Sequence, residues 1–551
     1  MPIRLPLSSL LVPVRQTGAR PVAATLARYE CAIVFLPAEP SPADWAAVPY
    51  GSLLRALYRG RERKPGDAVQ LRVGKRAETL VLAVCLAGTA STFERLNAAG
   101  KLARLALESE PESLLLVAHG DGDAMPAALN ATVAALQAAA FRFATFKRDA
   151  KAHRPLTRID ISATGRPAAL DLTLATSAGN NLARWLTALP PNTLDAAGYR
   201  RLLQELARHL GLEFKFYGEA QLRRLGAGAF LAVSQGNATR DAGIVHLAYR
   251  PGAAARRSGR PPRGSPSGPS NRASSPPAVS LVGKGICFDT GGTNLKAHKG
   301  MLDMHIDMEG SAVAVGSLYA LHSLRSPLAV DCWLAITENR TGPSAYKPQD
   351  VVRAHNGTTI QVIHTDAEGR MVLADTLSLA ASTKPRAIID YATLTGACVY
   401  ALTERYSGAF TNRPEAREVL EAAGSSSGER VWCFPMDADF DTDLESTVAD
   451  VLQCTTEGKG DHILAARFLS RFVPKNIAWL HLDLAAGSRT GGLAHIGTEI
   501  TGFGVRYTLD LLQRGWPQAE RRGAAARAAS GRPTVRRAPL APAKRRLARA
   551  S

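Results

Sequence analysis

Short apolar runs alternate with helical patterns along most of this chain. Runs of β-branched and aliphatic residues predict strands, and longer stretches with an apolar residue every three to four positions predict helices. In the first part of the chain the predicted strands are Cys31–Leu36, Thr79–Ala87, Ser113–His119, Thr157–Ser162 and Ala168–Thr173, and the predicted helices are Ala90–Leu107 and Ala127–Ala139. This alternation is typical of an α/β fold with a parallel or mixed sheet.

The same alternation continues through the second part of the chain. Its predicted strands are Glu213–Tyr217, Ala229–Gln235, Ile244–Tyr249, Val279–Val282, Leu328–Ile336 and Ala387–Ala392, and its predicted helices are Gly179–Leu189, Ala196–Gly211, Glu219–Arg224, Met308–Leu324, Glu415–Ser425 and His462–Phe472. We therefore expect two α/β domains, a smaller N-terminal domain at residues 1–165 and a catalytic domain at residues 166–512 with a mixed central sheet flanked by helices.

Two segments interrupt this pattern. Residues 251–278 are rich in Pro, Gly, Ser and Arg, and residues 513–551 are rich in Ala, Arg and Pro. Both have few apolar residues to bury, so we expect a disordered insertion and a disordered tail. The tail has a single acidic residue, Glu520, and the insertion has none, so most of the net charge of +19 belongs to these two segments and not to a folded basic surface.

Composition places the rest of the chain among globular proteins. Hydrophobic residues make up 46% and charged residues 21%, and no apolar run approaches the roughly 20 residues that cross a bilayer, so we expect no membrane partner. The seven cysteines are scattered and never form C-x-x-C. This pattern is typical of free thiols in a reducing compartment, so we expect a cytoplasmic location.

The most informative stretch, residues 358–376, joins a β-branched run to an apolar helical pattern through an acidic turn. Asp366 and Glu368 are separated by one residue, and Arg370 follows. If the turn is extended, both carboxylates point to the same side, where two hard oxygen ligands can share a metal ion. A short acidic motif also occurs in solvated turns, so its meaning depends on the rest of the chain.

A second stretch, residues 282–310, carries more charged residues among glycines. Lys284 lies between two glycines, and Asp289, Lys296 and Asp307 follow. Glycines at such positions allow a close approach of the backbone to a ligand. The stretch contains neither of the common glycine-rich phosphate-binding patterns. Together with the acidic turn it supplies four carboxylates, enough for two divalent cations such as Zn, Mn or Mg.

Several segments together resemble the cytosolic leucyl aminopeptidase family of two-metal, usually di-zinc, exopeptidases. These segments are LARWLTALPPN, GKGICFDTGG, NLKAHKGM, HIDMEGSA, ENRTGPSAYKPQDVV, TDAEGRMVLAD followed by ATLTGA, and HLDLAAG. The resemblance covers residues 177–512 apart from the insertion. It implies a metal-dependent aminopeptidase that removes leucine-like N-terminal residues from peptides through a water bridged by two metal ions.

The resemblance also gives each charged residue a role. It implies two Zn or Mn ions held by Lys284, Asp289, Asp307, Asp366 and Glu368. A lysine can be a ligand only as the free amine, so Lys284 would have to lose its proton. The implied catalytic residues are Lys296, which polarises the scissile carbonyl, and Arg370, which holds a bicarbonate as proton shuttle. The residues implied to bind substrate are Met304, Thr393, Leu394, Gly396 and Ala397.

The chain departs from the family pattern at two positions near these residues. His364 stands where asparagine is common, and Ala297 stands where proline is usual. Neither change removes a ligand, and we expect a structural role for His364. The family assembles as homohexamers with active sites facing an interior cavity, so the resemblance implies the same assembly here.

Two other functions are compatible with parts of the sequence. The basic insertion and tail could bind nucleic acid through salt-dependent contacts with phosphates, as a secondary or main role. The carboxylates alone could belong to a two-metal phosphatase or another hydrolase. A ligand lysine and the TDAEGR turn resemble the peptidase pattern only, which disfavours this last alternative.

Overall fold

The structure is a computed structural model and describes residues 3–18, 21–59, 67–74, 78–86, 90–120, 124–149, 153–163, 168–252 and 276–517. Most of the predicted disordered insertion (251–278) and tail (513–551) lies outside the described residues, at 253–275 and 518–551. The start of the predicted tail is wrong, because Gln513 still belongs to a helix and Trp516 is buried against the core. The predicted domain boundary at residue 165 also lies outside the described residues and stays a prediction.

The described residues form strands and helices that alternate as the sequence predicts. The strands are β1 Val14–Thr17, β2 Cys31–Leu36, β3 Ala68–Val73, β4 Thr79–Cys85, β5 Ser113–Ala118, β6 Arg158–Ala163, β7 Glu213–Gly218, β8 Gly243–Tyr249, β9 Val279–Asp289, β10 Val330–Asn339, β11 Val351–Arg353, β12 Thr359–Gln361, β13 Ala387–Ala392, β14 Ser407–Thr411, β15 Val431–Cys433, β16 Val451–Leu452 and β17 Ala478–Asp483. The helices are α1 Ala23–Leu26, α2 Pro42–Ala47, α3 Gly51–Arg59, α4 Thr92–Leu107, α5 Ala124–Ala140, α6 Asp171–Thr187, α7 Ala196–Leu210, α8 Glu219–Arg224, α9 Gly228–Ser234, α10 His298–Met301, α11 Glu309–Ser323, α12 Glu368–Ser382, α13 Gly396–Leu402, α14 Arg417–Ser427, α15 Asp461–Ser470 and α16 Val505–Gln513.

Each half of the chain builds its own mixed sheet. The N-terminal sheet has the strand order β1-β6-β5-β2-β4-β3, with β3 antiparallel to β4. The larger sheet has the order β15-β14-β17-β13-β9-β10-β8-β7, and a small third sheet joins β11, β12 and β16. Every residue of β2 is buried, because core clusters cover both faces of the N-terminal sheet. The predicted α/β fold class is confirmed.

The larger sheet positions the residues of interest. Its central strands β17, β13, β9 and β10 run parallel to one another, so their carboxyl ends meet at one edge. Successive residues of a strand face opposite sides of the sheet. Leu281 and Ile389 pack into one core with helices such as α6 and α11, whereas Val282 and Ile388 pack into the other with α9 and α12.

Two predicted strands are wrong. Residues 168–170 are irregular and Asp171 begins helix α6, although Ala168–Thr173 was a predicted strand. Ala229–Gln235, also a predicted strand, lies mainly in helix α9. The reason is the same in both places. A short run of apolar residues is compatible with a buried strand and also with a helix that is buried on several sides. Helix α6 is such a helix, because most of its residues are buried.

The cysteine prediction is confirmed, since all seven cysteines are buried free thiols. Among the described residues, no helix is both long enough and apolar enough to cross a membrane.

Helices α6 and α11 pack against each other through two glycines. A methyl group at Gly316 would lie 2.4 Å from the carbonyl oxygen of Gly179, and one at Gly179 would lie 2.3 Å from the carbonyl oxygen of Gly316. Contacts this short are not tolerated, so the two backbones must meet without side chains.

Replacing Gly316 with alanine should force these helices apart. We expect Gly316→Ala to lower the free energy of unfolding by about 1–3 kcal/mol, despite the higher helix propensity of alanine. Thermal unfolding measures this. Gly300→Ala is the control, because no atom lies within 4 Å of the methyl group that it adds. Equal melting temperatures for the two variants would contradict the close packing.

Candidate functional site

The carboxyl edge of the larger sheet collects polar residues from four neighbouring strands. Asp289 ends β9, Asn339 ends β10 and Asp483 ends β17, while Thr393 directly follows β13. In α/β sheets ligands bind outside the carboxyl ends of the strands. This edge therefore positions the side chains that the sequence singles out.

The acidic turn is fastened to the segment that follows β9. The hydroxyl of Thr365 donates to the carbonyl oxygen of Gly291 at 2.6 Å and accepts from the backbone N–H of Asn294 at 2.8 Å. The carbonyl oxygen of Thr365 accepts from the amide of Asn339 at 3.0 Å and the hydroxyl of Tyr346 at 2.7 Å. The two stretches singled out in the sequence are thus joined directly.

The turn is not extended, which corrects the premise from the sequence. Asp366 lies in a turn and Glu368 begins helix α12. Their carboxylates nevertheless converge, since ligand atoms of Asp289, Asp366 and Glu368 all lie within 4.8 Å of one another. The convergence comes from the strand-to-helix turn and not from strand alternation.

Two lysines lie among four carboxylates, Asp289, Asp307, Asp366 and Glu368. The amine of Lys284 lies 2.8 Å from Asp307 Oδ1, 2.8 Å from Glu368 Oε1 and 3.0 Å from the carbonyl oxygen of Thr393. The amine of Lys296 lies 2.9 Å from Asp289 Oδ2 and 2.6 Å from Asp366 Oδ1. We call these six side chains the charged cluster. All of them except Lys296 and Asp366 are buried.

Glycines make room for this cluster. A methyl group at Gly369 would lie 2.6 Å from Cε of Lys284, and one at Gly283 would lie 2.4 Å from Cα of Ser311 in α11. The glycine of the TDAEGR motif is therefore required by the side chain of Lys284, and the glycine before Lys284 lets β9 lie close to the helix.

Burial and the proximity of like charges disfavour the ionised form of three carboxylates of the cluster. Burial, the largest cause, raises the pKa of Asp307 to about 8 against the opposing effect of Lys284. Burial and the charge of Asp289 raise the pKa of both Asp366 and Glu368 to about 6. Burial disfavours the charged form of Lys284, but the surrounding carboxylates outweigh it and raise the pKa. Further positive charge would stabilise all four carboxylates.

The donor set fits divalent cations. Asp307 Oδ2 and Glu368 Oε2 are buried without a hydrogen-bond partner among the described residues. Oxygen atoms with unused lone pairs in a dry site are normally satisfied, and here a cation would satisfy them. Asp289 is held in place by the backbone N–H of Gly291 and the amide of Asn339, both at 2.8 Å from Oδ1.

Arg370 lies beside the cluster, but another acid binds it. Its Nη2 donates to both carboxylate oxygens of Asp461, at 2.9 and 2.7 Å, and its Nη1 donates to the carbonyl oxygen of Gln453 at 3.2 Å. Burial disfavours the charge of Arg370, yet Asp461 outweighs it and raises the pKa.

A cleft of about 650 Å³ gives access to the charged cluster and to Arg370. Of the residues expected to bind substrate, four line it and Ala397 does not: the four are Met304, Thr393, Leu394 and Gly396. Ile306 and Val399 add apolar surface, and His364 also lies on the wall. The segment after β13 is held by Asp483, whose Oδ2 accepts from the hydroxyl of Thr395 at 2.6 Å.

Comparison with known proteins decides the family. The profile of the catalytic domain of the cytosol aminopeptidase family matches residues 181–509. The chain belongs to this family. The probable cytosol aminopeptidase of Parasynechococcus marenigrum (strain WH8102) is 36% identical over 83% of this chain and 90% of its own length, and that of Aquifex aeolicus (strain VF5) is 32% identical over 84% and 92%.

A solved structure has the same fold. The bottromycin maturation enzyme BotP in complex with Mn superimposes with a TM-score of 0.73 and is 30% identical, covering 88% of this chain and 99% of that protein. The protein described here is thus an aminopeptidase, a peptide hydrolase with a mixed α/β fold. The nucleic-acid alternative has no support in these comparisons.

Several residues that shape the site of this aminopeptidase were not singled out from the sequence. Asn339, Tyr346 and Asp483 lie inside segments that resemble the family, so a signal existed, but nothing in their residue type marked them as supports. Gln453 and Asp461 lie outside those segments. Their contacts with Arg370 join positions more than eighty residues apart and become visible only in the fold.

Asn339 links Asp289 to the acidic turn, so its loss should disturb both. We expect Asn339→Ala to lower the kcat/KM for a peptide amide by about 10–100-fold, the usual cost of removing a residue that orients a ligand. Asn412→Ala is the matched control, because the Asn412 side chain also makes two hydrogen bonds, both to backbone groups, but lies away from the cleft. Equal activity of the two variants would contradict the supporting role of Asn339.

Proposed function

We propose that this aminopeptidase is metal-dependent and removes leucine-like residues from the N-termini of peptides. The observation that carries the proposal is the charged cluster. It has four carboxylates and only two lysines, with unpaired carboxylate oxygens, at the floor of an open cleft. Buried carboxylate oxygens normally have partners, and at this cleft bound cations would provide them.

Five residues would hold the cations: Lys284, Asp289, Asp307, Asp366 and Glu368. When bound, two Zn or Mn ions would act as Lewis acids. They would lower the pKa of a bound water and coordinate the free amine of the substrate. Asp289 at the end of β9 and Glu368 at the start of α12 would fix the positions of the oxygen atoms that hold the ions. Oxygen ligands do not choose between zinc and manganese. The manganese complex of BotP is support from a relative.

Lys296 is suited to the carbonyl of the scissile bond. Its amine reaches both Asp289 and Asp366, and it lines the cleft where a substrate would lie. The carboxylates Asp289 and Glu368 raise its pKa despite burial, so it carries its charge at neutral pH. An ammonium group fixed at this point stabilises the negative charge that develops on the carbonyl oxygen.

The cleft wall matches an apolar first residue. Met304, Ile306, Leu394 and Val399 contribute aliphatic surface close to the charged cluster. A leucine side chain buried against such a wall gains roughly 1.5–3 kcal/mol relative to water. This supports the leucine-like preference.

We also infer a homohexamer in the cytoplasm. Leu295, Leu302 and Tyr400 are exposed by 59%, 65% and 93%, on segments that also contribute to the cleft. Apolar side chains in this position would be covered where copies of the chain assemble around a shared cavity. The buried free thiols fit a reducing compartment.

The metal requirement can be tested directly. After treatment with a chelator the protein should lose hydrolysis of leucine amide, and zinc or manganese should restore it. In the restored protein Lys296→Ala should lower kcat by about 100-fold or more, because a charge that stabilises the transition state is lost. Lys347→Ala is the control, since Lys347 is an exposed lysine outside the cleft.

Two results would contradict the proposal. One is full activity after the chelator has removed all metal. The other is a metal-supplied wild-type protein that hydrolyses leucine amide no faster than Lys296→Ala.

The apolar wall generates a prediction about specificity. Met304→Ala should reduce the preference for leucine amide over alanine amide by about tenfold, because the longer side chain loses its contact. The ratio of the two kcat/KM values measures this. Met436→Ala is the control, since Met436 packs on the core and not on the cleft. An unchanged ratio in Met304→Ala would place the specificity elsewhere.

A further inference from the structure

The anion bound to Arg370 is part of the chain itself. Arg370 is 2% exposed, and an unpaired charge is costly to bury. Asp461 supplies it through two contacts below 3 Å. The carboxylate of Asp461 keeps 24% of its side chain exposed and lines the same cleft as the charged cluster. The acid therefore joins a buried arginine to the space where a substrate would lie.

The local sequence presents Asp461 to the cleft. Gly458 and Gly460 have φ angles of 67° and 62°, a left-handed conformation that glycine adopts without strain. The turn that they form ends at Asp461, the first residue of helix α15. The partial positive charge of a helix N-terminus favours a carboxylate there. The turn and the helix thus hold the carboxylate against Arg370.

An external bicarbonate would have to compete with Asp461 for Arg370, whose remaining nitrogen, Nε, is buried without a hydrogen-bond partner among the described residues. A carboxylate and a bicarbonate are both planar O–C–O anions, and Asp461 already accepts from Nη2 while the carbonyl oxygen of Gln453 accepts from Nη1. A bicarbonate would have to displace a partner that is tethered to the same chain and therefore has a high effective concentration. The displaced carboxylate would then remain close to a second anion.

We propose that Asp461 takes the place that the family resemblance gives to bicarbonate, as the built-in proton carrier of the peptidase reaction. The proposal rests on the proposed function. As the oxygen of the attacking water forms its bond to the peptide carbonyl carbon, an O–H bond breaks and the proton goes to the Asp461 carboxylate. When the C–N bond breaks, its electron pair stays on nitrogen, and the same proton moves from Asp461 to that nitrogen. Arg370 keeps the carboxylate in position.

The first test measures hydrolysis of leucine amide in carbonate-free buffer, with and without sodium bicarbonate at constant ionic strength. Wild-type activity should not change on addition of bicarbonate. Asp461→Ala should lose about 100-fold in kcat, the usual contribution of a positioned acid–base group, and bicarbonate or formate should restore at least part of it. Asp461→Asn should lose activity without rescue, because its amide fills the space.

Asp441→Ala is the matched control, because Asp441 also pairs with an arginine, Arg467, but does not line the cleft. Its activity should equal that of the wild type with and without bicarbonate. Two results would overturn the proposal: a wild-type protein that needs added bicarbonate, or an Asp461→Ala variant with the wild-type rate in carbonate-free buffer. The wild-type measurement holds even if a variant does not fold.

The second test does not depend on activity. Binding of ¹³C-labelled bicarbonate is followed by NMR on the zinc-supplied full chain. We expect no binding that depends on Arg370 in the wild type, and binding in Asp461→Ala that Arg370→Gln abolishes. Bicarbonate binding by the wild type that Arg370→Gln abolishes would overturn the proposal. If the wild type shows no peptidase activity with any metal, the proposed function fails, and the proton-carrier role of Asp461 fails with it. The bicarbonate-binding comparison still decides whether Asp461 occupies the anion position beside Arg370.

Discussion

Unbalanced buried charge is the constraint on which the site depends. Four carboxylates and two lysines lie together at the carboxyl ends of the parallel central strands of the larger sheet, and burial raises the pKa of Asp307 to about 8. Such a cluster costs stability unless positive charge compensates it. The fold keeps it in place with neutral supports. Asn339 bonds Asp289 and the acidic turn, and Gly369 leaves space for the side chain of Lys284.

A second buried charge, that of Arg370, is also compensated by a partner of opposite sign. Arg370 belongs to the helix that begins with Glu368, and it lies beside the cluster with its own acid, Asp461. Separate elements of the fold therefore supply four carboxylates, the ammonium of Lys296 and a carboxylate paired with Arg370, all around one cleft. Apolar side chains such as Met304 and Val399 line the same cleft beside these groups.

The sequence predicted the charged cluster better than it predicted some of the secondary structure. All six of its residues lie in two stretches, residues 282–310 and the TDAEGR turn, and it was the resemblance of these stretches to the family that gave the residues a shared role. The strands predicted at Ala168–Thr173 and Ala229–Gln235 were wrong, because a short apolar run does not distinguish a strand from a buried helix. Asp461 was not predicted at all. Its contact with Arg370 depends on tertiary structure, which no local pattern encodes.

Anomalous scattering from crystals soaked in manganese tests the central claim most directly. The account predicts two manganese peaks among Asp289, Asp307, Asp366 and Glu368, with Asp461 still bound to Arg370. Crystals that take up no manganese at these carboxylates, or that bind it only elsewhere on the chain, would contradict a two-metal centre built from the charged cluster.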